Sequence, residues 1–227
     1  VSRIPGSRLD VRDARSAAGD AGDAAGLHED TRPAVGVLAL QGDVLEHVRA
    51  LAGVGLRPVA VRRPSDLEGL SGLVLPGGES TAISRALERG GLAVPLAALV
   101  RSGLPVLGTC AGLILLSDEL EGDEDLPRPA GLAVRTRRNA YGSQTASFDV
   151  AFDVPGIAGG PMHASFIRAP RIEALLSPAV EVLAEVDGHP VAVRQGDVIA
   201  MSFHPEVSGD LRMHALLATS VRLRAAR

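Results

Sequence analysis

The sequence predicts an α/β fold in which a mostly parallel sheet is covered by helices on both faces. Short, continuously apolar runs such as AVGVLAL (34–40) have the character of strands buried on both sides. They alternate with segments whose apolar residues recur at helical spacing, the pattern of a parallel sheet with crossover helices. Composition sets the scale: 227 residues, 46% of them hydrophobic, with one Tyr, four Phe and no Trp, suffice for one aliphatic core or at most two small ones.

Residues 1–32 stand apart from the rest. GSRLDVRDARSAAGDAGDAAGLHED mixes Asp, Arg, Ala and Gly with almost no large apolar side chain, so it buries too little to offset the entropy of ordering and is expected to be a disordered extension. The folded domain is then 33–227. It opens with the strand 34–40 and with DVLEHVRALAGVG (43–55), whose helical repeat stops at Gly53 and Gly55. RPVAVR (57–62) and GLVLPGG (72–78) read as strands. STAISRALERGG (80–91) reads as a helix capped by Ser80 or Thr81, and PLAALVRSG (95–103) as a helix leading into the strand LPVLG (104–108). Beyond Leu132 the pattern turns β-rich through LAVRTRR, SFDVAF and VEVLAEVDGHPVAVRQGDVIAMSF, with Asp187-Gly188 as a hairpin turn. A helix over 209–224 follows.

Several function classes are excluded by charge and hydropathy. A net charge of −4 and scattered arginines without interleaved aromatics offer no footprint for nucleic acid. The apolar runs at 92–100 and 112–116 are far shorter than the roughly 18 residues that span a bilayer. With no apolar segment suited to secretion, a cytoplasmic location is expected. A lone cysteine makes neither an internal disulfide nor a zinc cage. All 23 basic residues are Arg.

That cysteine lies in VLGTCAGLILL (106–116), between a buried strand and an apolar helix. A lone cysteine is ordinarily a small buried hydrophobe. Gly108-Thr109-Cys110-Ala111-Gly112, however, is a G-x-nucleophile-x-G elbow, in which strained backbone projects the side chain at the carboxyl edge of the sheet. The helix that follows directs its N-terminal dipole at the sulfur, favouring thiolate. SFHPE (202–206) supplies His204 as base and Glu206 as the carboxylate that orients it. His28, His47, His163, His189 and His214 lack such a setting. LPGGEST (75–81) brings two glycines to a strand end, where the Gly78 amide with that of Ala111 could hold an oxyanion. By itself this segment reads equally as a capped strand-to-helix turn.

GVLALQGDVLEH, LPGGEST, GTCAGLILL, RRNAYGSQ, SFIRAP and SFHPE occur in the order found in the glutaminase subunits of pyridoxal 5'-phosphate synthases. The chain resembles that family, a branch of the class I (triad) glutamine amidotransferases, over nearly all of its length from Val35. The resemblance implies a three-layer α/β sandwich with Cys110 as nucleophile, His204 as base and Glu206 as its partner. It implies that Gly77, Gly78, Glu79, Arg138, Ile167 and Arg168 bind L-glutamine, with no metal or organic cofactor. It further implies a hetero-oligomer with a synthase subunit that takes up the ammonia. The synthase is expected to dock beside LQGDVLEH and the PGGEST loop, and the chain alone is expected to turn glutamine over poorly. Ser143 departs from the arginine common after the Tyr-Gly pair. Three other readings stand beside this one: the glutaminase subunit of imidazole glycerol phosphate synthase, a glutamine-binding subunit without turnover, and a stand-alone cysteine hydrolase.

Overall fold

The computed structural model of the chain describes residues 30–122, 126–138 and 147–226. Residues 1–29 of the expected extension, and Ser143 with the rest of the RNAYG motif after Arg138, lie outside them. In chain order the elements are β1 (Ala34–Leu38), α1 (Val44–Gly53), β2 (Arg57–Val61), β3 (Gly72–Leu75), α2 (Ser80–Arg89), α3 (Ala93–Arg101), β4 (Val106–Thr109) and α4 (Ala111–Leu116). They continue with β5 (Ser117–Glu121), β6 (Leu132–Arg137), β7 (Phe148–Phe152), β8 (Met162–Phe166), β9 (Arg171–Leu175), β10 (Glu181–Val186), β11 (His189–Gln195), β12 (Val198–Met201) and α5 (Arg212–Ala225).

Seven strands form the main sheet in the order β10-β11-β12-β4-β3-β1-β2. The five from β12 to β2 are parallel, and β10 and β11 extend the sheet antiparallel. Alternate residues of each central strand feed opposite cores, which explains the unbroken apolar runs. Leu73, Leu75, Val106, Val198 and Ala200 pack beneath α2, α3 and α4, whereas Val35, Val37, Val74, Leu107, Ile199 and Met201 pack beneath α1 and α5. Each Val, Leu, Ile or Met among them contributes about 1.5–3 kcal/mol when removed from water. The hairpin turn falls at Asp187 and Gly188, with φ of 50° and 73°, the pair of positive values that a two-residue turn joining twisted strands requires.

Three strands were not legible. β5, β8 and β9 lie outside the main sheet, in a three-stranded sheet β5-β6-β9 and a two-stranded sheet β7-β8. β5 is the polar SDELE, joined directly to α4 without a breaker. The cap of α2 also differs from expectation. Its N-cap is Glu79, whose carboxylate accepts from the amides of Thr81 at 3.0 Å and Ala82 at 2.7 Å, because a side chain one carbon longer than Asp still reaches the exposed N–H groups of the first turn.

All four phenylalanines gather beside the β7-β8 hairpin. Phe148 stacks on Phe166 at 4.8 Å, and Phe203 meets Phe152 at 5.2 Å and Phe166 at 5.6 Å. Because Phe166 precedes Ile167 and Phe203 precedes His204, this cluster sets the hairpin against the end of β12. The His204 amide donates to the Ser165 carbonyl at 3.0 Å across the same seam.

Candidate active site

Cys110 sits at the carboxyl end of β4, in the middle of the sheet, where open α/β sheets place their ligands. Its backbone is strained, with φ 47° and ψ −100°. Its amide donates to the Met201 carbonyl of β12 at 2.8 Å, which holds the turn in place. The flanking glycines are dictated by space. A Cβ at Gly112 would come within 2.0 Å of the Leu75 carbonyl oxygen, and one at Gly108 within 2.6 Å of Leu116 and 2.9 Å of the Gly112 backbone. The Cys110 Sγ lies 3.8 Å from the carbonyl oxygen of Ile167, and Arg168 beside it also has a positive φ of 47°.

His204 and Glu206, both buried, follow β12 on the neighbouring strand, with Nδ1 of His204 and Oε1 of Glu206 2.8 Å apart. The Cys110 side chain favours the charged form of the same imidazole. A cavity of about 350 Å³ opens over Cys110 and His204, lined also by Gly78, Glu79, Arg138, Ile167 and Arg168. That volume is at the small end of the range for ligand pockets. Arg138 donates to Thr81 Oγ1 at 2.7 Å and lies 3.5 Å from Glu79, so cation and carboxylate border the cavity together. Gly77 is closely packed: a Cβ there would lie 2.2 Å from Cε1 of His204. The Gly77 carbonyl accepts from the Asp43 amide at 3.4 Å, which points the Gly78 N–H of the same trans peptide in the opposite direction. Ala111, the first residue of α4, is buried beside Cys110.

Residues absent from the sequence reading also enter the site. Asp43 brings a second carboxylate to His204 Nδ1, at 3.2 Å, and Gln41 Oε1 accepts from the Glu79 amide at 2.8 Å. Both line the cavity. Behind His204 and Glu206, His47 is wholly buried. Its Nδ1 is 2.9 Å from His214 Nε2, and its Nε2 is 3.1 Å from Thr109 Oγ1 and 3.5 Å from Glu206 Oε1. The spacing of Asp43, at the N-cap of α1, and His47, four residues further on, was the available signal, since it brings both to one side of the first turn.

The histidines titrate in opposite directions. Burial, reinforced by His214, holds His47 neutral with its pKa lowered to about 3, and burial lowers His214 to about 4. Burial also opposes the charge of His204, but hydrogen bonds with Asp43, Cys110 and Glu206 outweigh it and raise the pKa to about 12. Below pH 6.5 the unfolded chain gains protons at positions 47 and 214 that the folded chain refuses, so stability falls as the pH drops toward 4. Above 6.5 the unfolded chain has lost the proton that folded His204 keeps, so that contribution declines as the pH rises toward 12. Each full mismatch is worth about 1.4 kcal/mol per pH unit. Urea unfolding is therefore expected to give maximal stability near pH 6.5, with His214→Phe flattening the acid side. A stability that climbs steadily from pH 5 to 9 would contradict these assignments.

A parallel α/β sheet with a nucleophile elbow at its centre, and a histidine-carboxylate pair on the adjacent strand, defines the architecture shared by triad amidotransferases. The chain belongs to the SNO glutamine amidotransferase family, whose sequence model matches residues 37–222. Pyridoxal 5'-phosphate synthase subunit PdxT of Clavibacter michiganensis subsp. michiganensis is 55% identical over 203 residues, covering 88% of this chain and 96% of that protein. The protein of the same name from Streptomyces coelicolor is 52% identical over 194 residues, covering 84% and 94%. Among solved structures, one described as a glutamine amidotransferase superimposes with a TM-score of 0.78 at 43% identity, covering 83% of this chain and 98% of its own. A chain of PurLQS from Thermotoga maritima, at 18% identity and TM-score 0.56 over 87% of this chain and 100% of its own, shares the fold. Among the described residues no helix is long and apolar enough to cross a membrane.

Proposed function

We propose that this chain is the glutaminase subunit of a pyridoxal 5'-phosphate synthase, hydrolysing L-glutamine to glutamate and ammonia for a partner that builds the vitamin B6 ring. The observation that carries the reading is the meeting of Cys110 and His204 at one cavity, with Glu206 bonded to His204 behind it, in a chain 55% identical to a PdxT. Cys110 attacks the side-chain amide of glutamine while the Gly78 and Ala111 amides hold the oxyanion. Imidazolium at His204 gives its proton to the departing ammonia. The imidazole then takes a proton from water, which hydrolyses the γ-glutamyl thioester and restores the thiol. Arg138 and Arg168 suit the α-carboxylate of the substrate, and Glu79 its ammonium group. A sequence without lysine has no side-chain amine for the imine chemistry that assembling the ring requires, so that step belongs to another polypeptide. The folded domain is taken as residues 33–227 and the site of action as the cytoplasm.

The synthase is placed beside the loop after β1. Gln41 and Asp43 of that loop bond Glu79 and Gly77, so a partner gripping the first loop also orders the oxyanion loop. Steady-state glutaminase assays with and without candidate synthase subunits test the whole reading. The expected result is slow hydrolysis alone and a gain of about a few hundredfold on docking, the worth of about one oxyanion donor. Full activity that no partner alters would favour a stand-alone hydrolase, and no glutamate release with any synthase would overturn the assignment.

A further inference from the structure

Glu206 needs more donors than His204 supplies. Its side chain is fully buried, Oε1 accepts from His204 Nδ1, and Oε2 finds no hydrogen-bond partner among the described residues. A carboxylate offers about four acceptor sites, and one left with a single donor in the interior is costly. His47 faces the same Oε1 at 3.5 Å and Thr109 Oγ1 at 3.1 Å through its Nε2.

The partners decide the tautomer. A carboxylate only accepts, so the contact is favourable only when Nε2 of His47 carries the proton. Its Nδ1 is then a lone pair, and His214 Nε2, 2.9 Å away, must donate to it. His214 Nδ1 becomes an acceptor, buried and without a partner among the described residues. The reverse assignment would aim a lone pair at Glu206 and strand a buried N–H donor at His214, which is worse on both counts. Burial keeps both rings neutral, so His47 brings Glu206 a dipole and no competing charge.

We propose that His47 is a positioning residue of the triad. With its Nε2–H shared between Thr109 at 3.1 Å and the nearby Glu206 carboxylate at 3.5 Å, it directs a dipole that ties the carboxylate orienting His204 to the strand before Cys110, and His214 fixes the tautomer that lets it do so. This rests on reading Cys110, His204 and Glu206 as the glutaminase triad. Because His47 sits behind the triad and does not line the cavity, its loss should fall on kcat and spare KM.

The test is glutaminase kinetics of the synthase-bound enzyme with His47→Phe, which keeps the ring's bulk, and His47→Gln, which restores an N–H near the position of Nε2. His47→Phe is expected to lower kcat about 10-fold, the lower end of what an interaction with a charged group is worth, with KM nearly unchanged. His47→Gln is expected to recover most of the loss at a similar Tm. A kcat for His47→Phe close to that of the unmodified chain, or equal losses in the two variants, overturns the proposal. Should His47→Phe fail to fold, His214→Gln decides: a severalfold fall in kcat at unchanged KM supports the assignment, and an unchanged kcat overturns it. Cys110→Ala run in parallel separates the levels. Activity surviving in that variant removes the triad reading itself, whereas an inactive Cys110→Ala beside a fully active His47→Phe removes only the role of His47.

Discussion

Cys110→Ala is expected to abolish glutamate release, lowering kcat by about four or more orders of magnitude, while the chain still folds and still binds its synthase. Removing the nucleophile of a triad leaves only the residual effects of binding and the oxyanion donors. The structural cost is small because the residue is buried beside α4 and loses a single heavy atom. The strain at φ 47° persists in the alanine variant, so the folded state is neither relieved nor further burdened. Cys110→Gly makes the contrast, since glycine tolerates that φ and recovers part of the strain while being equally inactive. Glutamate production by either variant above the uncatalysed background, with thermal unfolding confirming folded protein, would remove Cys110 from the mechanism.

The second large effect concerns the base and its carboxylate. His204→Ala removes the group that takes and returns the proton, and a loss of about 10³- to 10⁴-fold in kcat is expected, toward the upper end of what general acid-base catalysis contributes. Glu206→Gln is expected to cost less, about 10- to 100-fold. The structure supplies the reason: Asp43 Oδ2 stands 3.2 Å from the same Nδ1, so a carboxylate still selects the tautomer after Glu206 is neutralised. The prediction therefore extends to a pair. Asp43→Asn alone should have a small effect, and the double variant with Glu206→Gln should lose more than the product of the two single losses. Independent effects, or a Glu206→Gln variant as impaired as His204→Ala, would show that Asp43 does not share the work.

What could be read from the sequence follows a physical divide. The elbow was legible because local backbone sterics write it: Gly108 and Gly112 stand where any side chain would strike Leu116 or Leu75, and those constraints lie within a few residues or on the adjoining strand. The central strands were legible because each must feed two cores, which leaves Thr109, at the end of β4, as the polar exception. His47, His214 and Asp43 were passed over because their meaning lies in contacts across the fold. On α1 alone, His47 is a histidine at a helical position, and only the packing of α1 beside α5 and the end of β4 gives its nitrogens partners. β5 was missed for a related reason, since its polar residues take strand form by pairing with β6 and not by any pattern of their own. Glu79 shows a third kind of shortfall. Propensity favours serine or threonine as a cap, and the glutamate that caps α2 does so while also facing Arg138 at the cavity.

The pairing of Thr109 with Met201 joins the strand before Cys110 to the strand before His204. In the chain these groups are separated by roughly ninety residues, a long-range closure of the kind that slows folding. During synthesis the elbow therefore emerges well before His204 has been made. A ribosome-bound intermediate ending before β12 carries the thiol without its base, and hydrolytic competence arrives only when β12 slides in beside β4. Turnover thus requires that seam to be closed, and in refolding experiments it is expected to lag behind the recovery of helical signal.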